Sequence, residues 1–505
     1  MGRGVGGTCM IRVGFYLACY PEIDGLWSFL PPLGLGYLAA YTRERVPGVE
    51  FVVHRRLEDL IAARPDVVGV TYVTHNARFA AGEARKIKEA LGCPVIAGGP
   101  HISTLPTVLN APFDLAVLHE GEATFADLMR LYQAERRFEP AALAKVEGIL
   151  YRDESGALLR TPPRPTIADL DAIPYPDRDL MFDQWRLPGR VEAQLMSSRG
   201  CPYDCAFCST VKHWGTGYRF PSEAYVVGEI ELLRERYGAE VIHFYDDLFV
   251  VRKDRVLSIL KLVRERGLHE GAEYRCFVRS NLLDDEVMEA FAASGFRLLN
   301  IGFESGSDEI LQILNKGSAS MKKNRRAIEL GRKHGLKFAS CFIIGSPGET
   351  RQSILETFDF VTSNVDALQY VQFAPLVILP GTEVWRWAER IGVSDRNLTG
   401  VVLEPEDINN EDHYYLHRWP YLNDENIPRE EFLTYLKIGH KIEELVWRHH
   451  GLGERLKALE RESRRVQTPG YIAENTPILD IVKAKARRRL RRLLPSDPEL
   501  SLESA

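Results

Sequence analysis

The chain has 505 residues, too many for a single ordinary hydrophobic core, so two or three domains are expected. Its composition is 45% hydrophobic and 27% charged, with a formal net charge of -6. This balance gives no support to a nucleic-acid binder, because such proteins usually carry a basic excess. The eight cysteines do not resemble a disulfide framework and favour a reducing, cytoplasmic setting. We find no apolar run long enough to span a bilayer, and the N-terminal run reads as a strand rather than a signal peptide.

Short β-branched runs alternate with amphipathic segments over the first 150 residues. Strands are predicted at 11–18, 50–56, 66–74, 94–100 and 114–121, and helices at 31–46, 77–91 and 123–135. Such alternation with short connections predicts a doubly wound, flavodoxin-like (Rossmann-type) parallel sheet for residues 1–150. Ligands of such sheets bind beyond the carboxyl ends of the strands, which here carry the sequences THN, GGPH and HEGE.

Residues 151–190 are rich in proline and aspartate and are predicted to form a linker. Six strand-and-helix units follow within residues 191–385. Their strands are predicted at 192–198, 241–249, 274–280, 298–305, 337–345 and 370–378. Six units are too few for the closed eight-unit barrel, so an open, partial (β/α)6 barrel is predicted.

Residues 386–505 are predicted to form a mainly helical C-terminal region that caps the barrel and selects the substrate. The region ends in the basic sequence KAKARRRLRRLL. A basic helix of this kind can make a peripheral contact with an anionic membrane surface. The interpretation that the sequence favours is a solvated terminal helix, and the membrane contact stays an alternative.

The sequence SSRGCPYDCAFCST places Cys201, Cys205 and Cys208 directly after the first barrel strand. This is the face on which barrels carry their active sites. Three thiolates with His213 as a fourth ligand would make a structural zinc site. Three thiolates can also hold three irons of a 4Fe–4S cube and leave the fourth iron free for a substrate or cofactor. An open coordination position is typical of a catalytic metal.

The stretch CPYDCAFC matches the CxxxCxxC signature of the radical S-adenosylmethionine (SAM) enzymes, and a partial barrel of about six units is the fold of that family. The resemblance implies that Cys201, Cys205 and Cys208 bind one 4Fe–4S cluster, whose free iron chelates SAM. An electron from an external donor, such as flavodoxin or ferredoxin, then cleaves SAM to methionine and the 5′-deoxyadenosyl radical. No cysteine follows Cys341, so a second cluster is not predicted.

The resemblance also implies SAM contacts near the cysteine loop. Phe207 is the aromatic residue that precedes the last cysteine. Asp246 and Asp247 follow the second barrel strand, and either carboxylate could pair with the SAM ammonium. The Gly-Gly-Glu triplet usual in the family is absent here. Arg279 follows the third strand and could clamp the methionine carboxylate in a bidentate fork.

Two further loops are implied to contact SAM. Glu304 and Ser305 follow the fourth barrel strand and could hydrogen-bond the ribose or the amino group. Gly345 and Gly348 follow the fifth strand, where glycine would let the backbone approach the adenine edge. For each of these residues the alternative is a structural role at a strand end, in which it caps a helix or forms hydrogen bonds within its own loop.

The stretches PPLGLGYLAAY, GGPHISTLP, HEGEATFADL and IPYPDRDL resemble the cobalamin-binding domain that precedes the barrel in one large radical SAM subclass. The implied cobalamin-binding residues are Thr71, Thr74, Gly98, Gly99, His101, Glu120 and Gly121. Glycines would let the corrin or its nucleotide tail lie close to the backbone. A flavodoxin-like sheet without the cofactor stays an alternative. The loop CYPEIDGLWSFLPP after the first strand contains no histidine, so cobalt is expected without a protein imidazole ligand.

The pairing of the cysteine loop with this sheet predicts a cobalamin-dependent radical SAM methyltransferase acting on an unactivated carbon of a small molecule or a lipid. One SAM would methylate cob(I)alamin, and a second SAM would supply the radical that activates the substrate. An alternative in the same subclass is oxidative cyclisation or carbon–carbon bond formation without methyl transfer. An alternative of another class is a non-catalytic cobalamin or Fe–S sensor.

Overall fold

The structure, a computed structural model, describes residues 10–18, 31–106, 109, 112–181, 190–215, 217–314, 319–392 and 420–452. Over these residues the chain forms one sheet of seven strands and one of six. The buried apolar side chains gather in separate clusters around the two sheets, so each sheet has its own hydrophobic core. The predicted fold class, a flavodoxin-like sheet followed by a partial barrel, is confirmed.

The first sheet has the strand order β2-β1-β3-β4-β5-β6-β7. Its strands are β1 (Ile11–Leu17), β2 (Val49–His54), β3 (Val67–Thr71), β4 (Val95–Gly98), β5 (Leu115–Val117), β6 (Ile149–Arg152) and β7 (Leu158–Arg160). The first five strands are parallel, and their order 2-1-3-4-5 is that of flavodoxin-like folds. The carboxyl ends of β3, β4 and β5 therefore lie at one edge of the sheet.

The structure differs from the prediction at the end of this sheet. Strands β6 and β7 form an antiparallel hairpin that pairs with β5, so the sheet continues to Arg160 and the predicted linker 151–190 begins inside a strand. The turn is built by Asp153, whose Oδ1 accepts the backbone N–H groups of Ser155 and Ala157 at 2.9 Å each. Strand β7 is short and largely exposed, so it lacks the apolar pattern that would reveal it in the sequence.

Helices cover both faces of the first sheet. They are α1 (Leu33–Arg45), α2 (Leu57–Ala62), α3 (Ala77–Leu91), α4 (Pro100–Thr104), α5 (Glu122–Glu135) and α6 (Pro140–Leu143). On one face, Leu35 of α1 and Phe125 of α5 share a core with Phe15 of β1. On the other face, Leu60 of α2 and Ile87 of α3 pack against a second core.

The second sheet is the predicted partial barrel. Its strands are β8 (Glu192–Leu195), β9 (Val241–Phe244), β10 (Glu273–Val278), β11 (Leu298–Glu304), β12 (Lys337–Ile344) and β13 (Leu368–Pro375). All neighbours are parallel, and each strand pairs with the next one along the chain. The carboxyl ends of all six strands therefore lie on one face, beside the cysteine loop that follows β8.

The helices of the barrel part are α7 (Thr210–Trp214), α8 (Glu223–Glu235), α9 (Lys253–Glu265), α10 (Asp285–Ala293), α11 (Asp308–Ile313), α12 (Met321–His334), α13 (Arg351–Thr362), α14 (Glu383–Arg390) and α15 (Arg429–His449). Alternate strand residues pack against the main helices, as in β10, where Tyr274, Cys276 and Val278 are buried. Short 3-10 helices lie at Thr74–Asn76, Leu170–Ala172, Phe249–Val251 and Ser280–Leu282.

The barrel is open, and outside groups occupy backbone positions on both of its edge strands. Helix α15 packs along β13, where its Glu443 carboxylate accepts the backbone N–H of Phe373. At the other edge, the carbonyl of Gln194 in β8 accepts a hydrogen bond from the buried Arg178. Residue 178 lies in the predicted linker, which therefore packs on the barrel instead of only joining the two parts.

The predicted end of the barrel, residue 385, falls inside α14. Val384 of this helix donates its backbone N–H to the carbonyl of Ala206, between two of the cluster cysteines, at 3.0 Å. Within the described residues, no helix is long and apolar enough to cross a membrane. The basic C-terminal segment and the loop predicted to lack a cobalt ligand lie outside the described residues.

Candidate active site

Asp246, at the carboxyl end of β9, anchors the start of the cysteine loop. Its Oδ1 accepts the backbone N–H of Ser197 at 2.6 Å, and its Oδ2 accepts the hydroxyls of Ser197 and Ser198 at 2.6 and 2.7 Å. The residue is 1% exposed, and burial raises the pKa of its carboxyl. Both oxygens are therefore used within the protein, which differs from the predicted pairing of Asp246 with SAM.

Gly200 fixes the next part of the loop. Arg199 pairs with Arg219 as an isolated antiparallel bridge, with N–H···O distances of 2.8 and 3.1 Å. Gly200 has a φ of +90°, and a Cβ added there would lie 2.2 Å from the carbonyl oxygen of Gly217. Only glycine permits this close approach of two chain segments, directly before Cys201.

The three predicted cluster cysteines share one half-buried region. Cys205 is buried, and Cys201 and Cys208 are intermediate. Burial raises the pKa of the Cys201 thiol to about 11, and the nearby Cys208 and Cys205 act in the same direction. Thiols that disfavour each other's negative charge become thiolates more readily when a cation is bound, and an iron–sulfur cluster bound by three thiolates supplies one. The donor set therefore fits such a cluster.

A zinc site with His213 is not formed. A single zinc ion would need all four ligand atoms within about 2.3 Å of one point. Within the part of the chain that the structure describes, no three or more His, Cys, Asp or Glu side chains are arranged to hold one metal ion. His213 lies on α7, where its backbone carbonyl contacts Nδ1 of His119 at 2.9 Å.

Arg279 follows β10 and reaches the cysteines. Its Nη1 lies 3.4 Å from Sγ of Cys205, and its Nε donates to Oδ1 of Asn281 at 2.8 Å. The guanidinium carbon lies 4.0 Å from the ring centroid of Tyr203. Arg279 is 5% exposed, and its buried Nη2 has no hydrogen-bond partner. A buried donor of this kind requires an acceptor, and the carboxylate of SAM fits it.

Asp247 and Phe207 flank the cysteines. The Asp247 Oδ1 accepts the hydroxyl of Thr210 at 2.9 Å, and the carboxylate interacts electrostatically with Cys201 and Cys208. Phe207 is partly buried against the cluster of apolar residues formed around α14. Unlike Asp246, Asp247 is exposed, so its carboxylate can still meet a ligand.

Glu304 occupies a strained turn at the end of β11. Its φ is +64°, which is uncommon for a residue other than glycine, and the N–H of Ser305 bonds to the carbonyl of Phe303 at 2.8 Å. The Ser305 hydroxyl contacts Oγ1 of Thr357 at 3.2 Å and accepts the N–H of Ser307 at 3.1 Å. Ser305 thus supports its own loop, while the strain at Glu304 is of the kind found at functional sites.

Glu349 organises the predicted adenine loop after β12. Its carboxylate accepts the backbone N–H groups of Gly345 and Ser346. Burial raises the pKa of Glu349 to about 8. Asn423 accepts the N–H of Gly348 at 3.1 Å and donates to the carbonyl of Glu349 at 2.8 Å. The region that follows the barrel therefore holds this loop, a contact that the sequence analysis did not predict.

Five predicted cobalamin residues meet at the ends of β3 and β4. Thr74 lies 3.2 Å from Nδ1 of His101, whose pKa burial lowers to about 4. Gly99 has a φ of +102°, and a Cβ added there would lie 2.7 Å from Oγ1 of Thr71. A Cβ added at Gly98 would meet nothing within 4 Å. The free space beside Gly98, next to a hydroxyl and an imidazole, fits a bulky polar ligand lying on the strand ends.

Glu120 and Gly121 have different surroundings from those predicted. A Cβ at Gly121 would lie 3.0 Å from Leu38, so this glycine lets the chain pack against α1. Glu120 is buried and accepts hydrogen bonds from Arg199 and Arg219 of the barrel part, both at 2.8 Å to Oε1. Burial acts to raise the pKa of Glu120, but the two guanidinium groups outweigh it and hold the pKa below its usual value.

Arg199 and Arg219 are not among the residues predicted from the sequence. Arg199 also donates to Oε1 of Glu122 at 2.6 Å, so the residue two positions before Cys201 contacts two carboxylates of the first sheet's domain. The only signal in the sequence was an arginine two positions before the first cysteine. Its partners lie 79 and 77 residues away along the chain, beyond the reach of local patterns.

The fold and this site define a radical SAM enzyme with a B12-binding domain. The family model of the radical SAM superfamily matches residues 195–361, and that of the B12 binding domain matches residues 27–129. The chain belongs to this family, and it therefore uses a 4Fe–4S cluster, SAM and cobalamin. Its cluster requires an electron donor.

Among its relatives is an uncharacterized methyltransferase of Pyrococcus horikoshii, which is 33% identical over 372 residues, 71% of this chain and 78% of that protein. An anaerobic magnesium-protoporphyrin IX monomethyl ester cyclase of Rubrivivax gelatinosus is 28% identical over 70% of this chain, which spans 65% of that enzyme. The solved structure of the radical SAM methyltransferase TsrM from Kitasatospora setae has the same fold. Its TM-score is 0.63 with 22% identity, over 75% of this chain and 76% of that one.

Proposed function

We propose that this enzyme transfers a methyl group from SAM to an unactivated carbon of a small molecule or a lipid, in a cobalamin-dependent reaction. The observation that carries the proposal is the contact between the two predicted cofactor sites. Arg199, beside the cluster cysteines, bonds to Glu120 at the edge of the cobalamin sheet. The His119 Nδ1 contacts the carbonyl of His213 in the helix that follows Cys208. A methyl carrier and a radical generator that act on one substrate require this arrangement.

Each residue near the cluster has a distinct role in the proposal. Cys201, Cys205 and Cys208 hold the cluster, which when bound supplies the electron that cleaves SAM, while cobalamin carries the methyl group. Arg279 binds the SAM carboxylate through its unpaired Nη2, a charge-assisted hydrogen bond. Asp247 pairs with the SAM ammonium, while Asp246 positions the cysteine loop.

The remaining predicted contacts complete the proposed site. Glu304 meets the ribose or amino group of SAM, and the backbone from Gly345 to Gly348 meets the adenine. Thr71, Thr74, Gly98, Gly99 and His101 form the cobalamin site at the strand ends. Glu120 and Gly121 support that site through the domain interface and helix packing.

The electron donor is proposed to be flavodoxin or ferredoxin, and the location the cytoplasm. A reduced cluster needs a strongly reducing donor, and the free cysteines of the chain suit a reducing compartment. The substrate is proposed to be selected by the region after the barrel. Asn423 of that region already contacts the proposed adenine loop.

The relative that is a cyclase supports the alternative, oxidative ring closure without methyl transfer. The two reactions differ in the mass of the product. Methylation adds one CH2 unit to the substrate, whereas oxidative cyclisation removes hydrogens. The alternative of a non-catalytic sensor predicts that no 5′-deoxyadenosine forms from SAM.

The first experiment is to measure the cobalamin content of protein purified anaerobically from cells supplied with cobalamin. We expect close to one cobalamin per chain together with four irons. Incubation with reductant and methyl-labelled SAM should then yield S-adenosylhomocysteine and 5′-deoxyadenosine, and Cys205→Ser should abolish the second product. Protein with a full cluster but without cobalamin would contradict methyl transfer and leave the ring-closure reaction.

A further inference from the structure

Arg199 joins the cysteine loop to the domain that carries the proposed cobalamin site. Its Nη1 donates to Oε1 of Glu120 at 2.8 Å, and its Nη2 donates to Oε1 of Glu122 at 2.6 Å. The three side chains are each 6% exposed, so the contact is shielded from water. A guanidinium holds two carboxylates in a fixed planar geometry that a lysine cannot reproduce.

The backbone of Arg199 is fixed as well. Its bridge to Arg219 and the close approach of Gly200 to Gly217 leave this part of the loop little freedom. Arg219 also binds the carboxylate of Glu120. Its Nη1 and Nη2 donate to the two carboxylate oxygens at 3.1 and 2.8 Å. A displacement of Glu120 would therefore be transmitted to both strands of the bridge, two residues from Cys201.

Aromatic rings from both sides enclose the guanidinium. Its carbon lies 5.4 Å from the ring centroid of Tyr37, on α1 of the first domain. It lies 5.5 Å from the ring centroid of Trp214, on α7 after the last cluster cysteine. Arg199 thus contacts the first domain and both ends of the segment that contains the cysteines.

Stability alone does not explain such an arrangement. Buried ion pairs lose much of their attraction to desolvation, and apolar residues of similar volume often stabilise a fold as well. The ion pairs of Arg199 with Glu120 and Glu122 provide a defined geometry between the cysteine loop and the first domain. The ion pair between Arg43 of α1 and Asp177, in the segment before the barrel, involves neither the cysteine loop nor Glu120 and Glu122, so it serves as a comparison.

We propose that Arg199 is a positioning residue that fixes the distance between the cluster and cobalamin. The inference rests on the proposed function and goes beyond it, because it assigns the relative placement of the two cofactors to one side chain. Removing the side chain should leave each cofactor bound while loosening their relative position. Formation of 5′-deoxyadenosine needs only the cluster, whereas loss of the SAM methyl group needs both sites.

The test uses the holoenzyme with both cofactors and the variants R199K, R199Q and E122Q, with D177N as the control. Iron and cobalamin contents are measured first. Pulsed EPR of the reduced cluster and cob(II)alamin then gives the distribution of distances between the two spins. We expect one narrow distribution of spin–spin distances in the wild type and in D177N. In R199K and R199Q we expect this distribution to shift or broaden by about 1 Å, a displacement that can slow a reaction about 100-fold.

The rates of the two products give a second readout. In R199K we expect S-adenosylhomocysteine formation to fall by about 100-fold, while 5′-deoxyadenosine formation changes only a few-fold. If R199Q does not fold, R199K and E122Q carry the test, because each retains part of the network. An unchanged distance distribution and equal losses of both products in R199K would overturn the positioning role and leave the proposed function intact. A wild type that binds no cobalamin would overturn both.

Discussion

Two neighbouring carboxyl groups show how far the surroundings of a residue decide its use. Asp246 is 1% exposed, and both of its carboxylate oxygens accept hydrogen bonds from the serines of the cysteine loop. Asp247 is exposed, and its Oδ1 accepts the hydroxyl of Thr210. The sequence shows two adjacent aspartates at a strand end and cannot separate them. The distinction depends on which of them points into the protein, and the alternation of side chains along an extended backbone settles that.

Replacing a cluster cysteine should remove the cluster without unfolding the protein. In Cys205→Ser we expect loss of iron, of inorganic sulfide and of SAM cleavage, because a hydroxyl at this position is a far weaker ligand for iron than a thiolate. The comparison is Cys341→Ser, since Cys341 is exposed on β12. Full cluster content in the Cys205 variant, measured by iron and sulfide analysis, would show that the loop holds something else.

Arg279 should govern the binding of SAM but not of the cluster. In Arg279→Gln the charged donor with the unpaired Nη2 is lost, and a hydrogen bond to a charged group contributes about 1.5–3 kcal/mol. We therefore expect SAM to bind about 10- to 100-fold more weakly, measured by titration of the anaerobic protein, at unchanged iron content. Arg236→Gln is the control, because Arg236 forms an exposed ion pair with Asp179. Equal SAM affinity in both variants would exclude Arg279 from the site.

At the scale of elements, the strands and helices were predictable and the connections were not. All six barrel strands and the five parallel strands of the first sheet lie where the apolar periodicity places them. The hairpin β6–β7 was missed because β7 exposes most of its side chains. The predicted barrel end at residue 385 falls inside α14, although Val384 and Trp385 of this helix are buried on one amphipathic face. Strand-end loops could be located from the sequence, but their hydrogen bonds could not.

The bridge at Gly200 gives a prediction for the cysteine loop as an element. In Gly200→Ala the new Cβ would lie 2.2 Å from the Gly217 carbonyl, so the backbone must move in addition to adopting a strained φ. The control is Gly238→Ala, with a φ of +64° and no atom within 4 Å of the new Cβ. We expect the control to lower stability by about 1–2 kcal/mol, and Gly200→Ala to lower it further and to reduce iron content. Equal effects of the two substitutions on unfolding and iron content would contradict a role for the bridge.

At the scale of the whole molecule, the family signature made the two domains and their cofactors predictable from the sequence, but not the contact between them. Arg199 and Glu120 are separated by 79 residues, and Asn423 and Gly348 by 75. No local sequence pattern predicts such pairings, because they depend on how complete domains pack against each other. Both pairings join a cofactor loop to another part of the chain, so the site is a property of the assembled molecule.

Glu349 gives the assembled molecule a predictable dependence on pH. Burial raises its pKa in the folded state to about 8, above the usual value for glutamate in the unfolded chain. The folded state therefore binds the proton more tightly, so the stability from this group is present below the pKa of the unfolded chain and is lost as the pH rises to about 8, where it levels off. Glutamine does not titrate, so Glu349→Gln should not lose this stability as the pH rises. The Tm of the variant minus the Tm of the wild type should therefore increase between pH 5 and 9.

Calorimetric scans in matched buffers test this difference. Glu430→Gln, at an exposed position at the start of α15, should show no comparable trend. A Tm difference for Glu349→Gln that stays constant across the range, or decreases, would mean that the carboxyl is already ionised at low pH in the folded protein.

The open barrel also bears on how the protein behaves at high concentration. A sheet that does not close leaves two edges, and free backbone groups on an edge strand are templates for strands of other molecules and hence for aggregation. Here Glu443 occupies the Phe373 N–H on one edge, and Arg178 occupies the Gln194 carbonyl on the other. The barrel can therefore stay open for its ligands while each edge presents an obstacle to strand addition by a second chain.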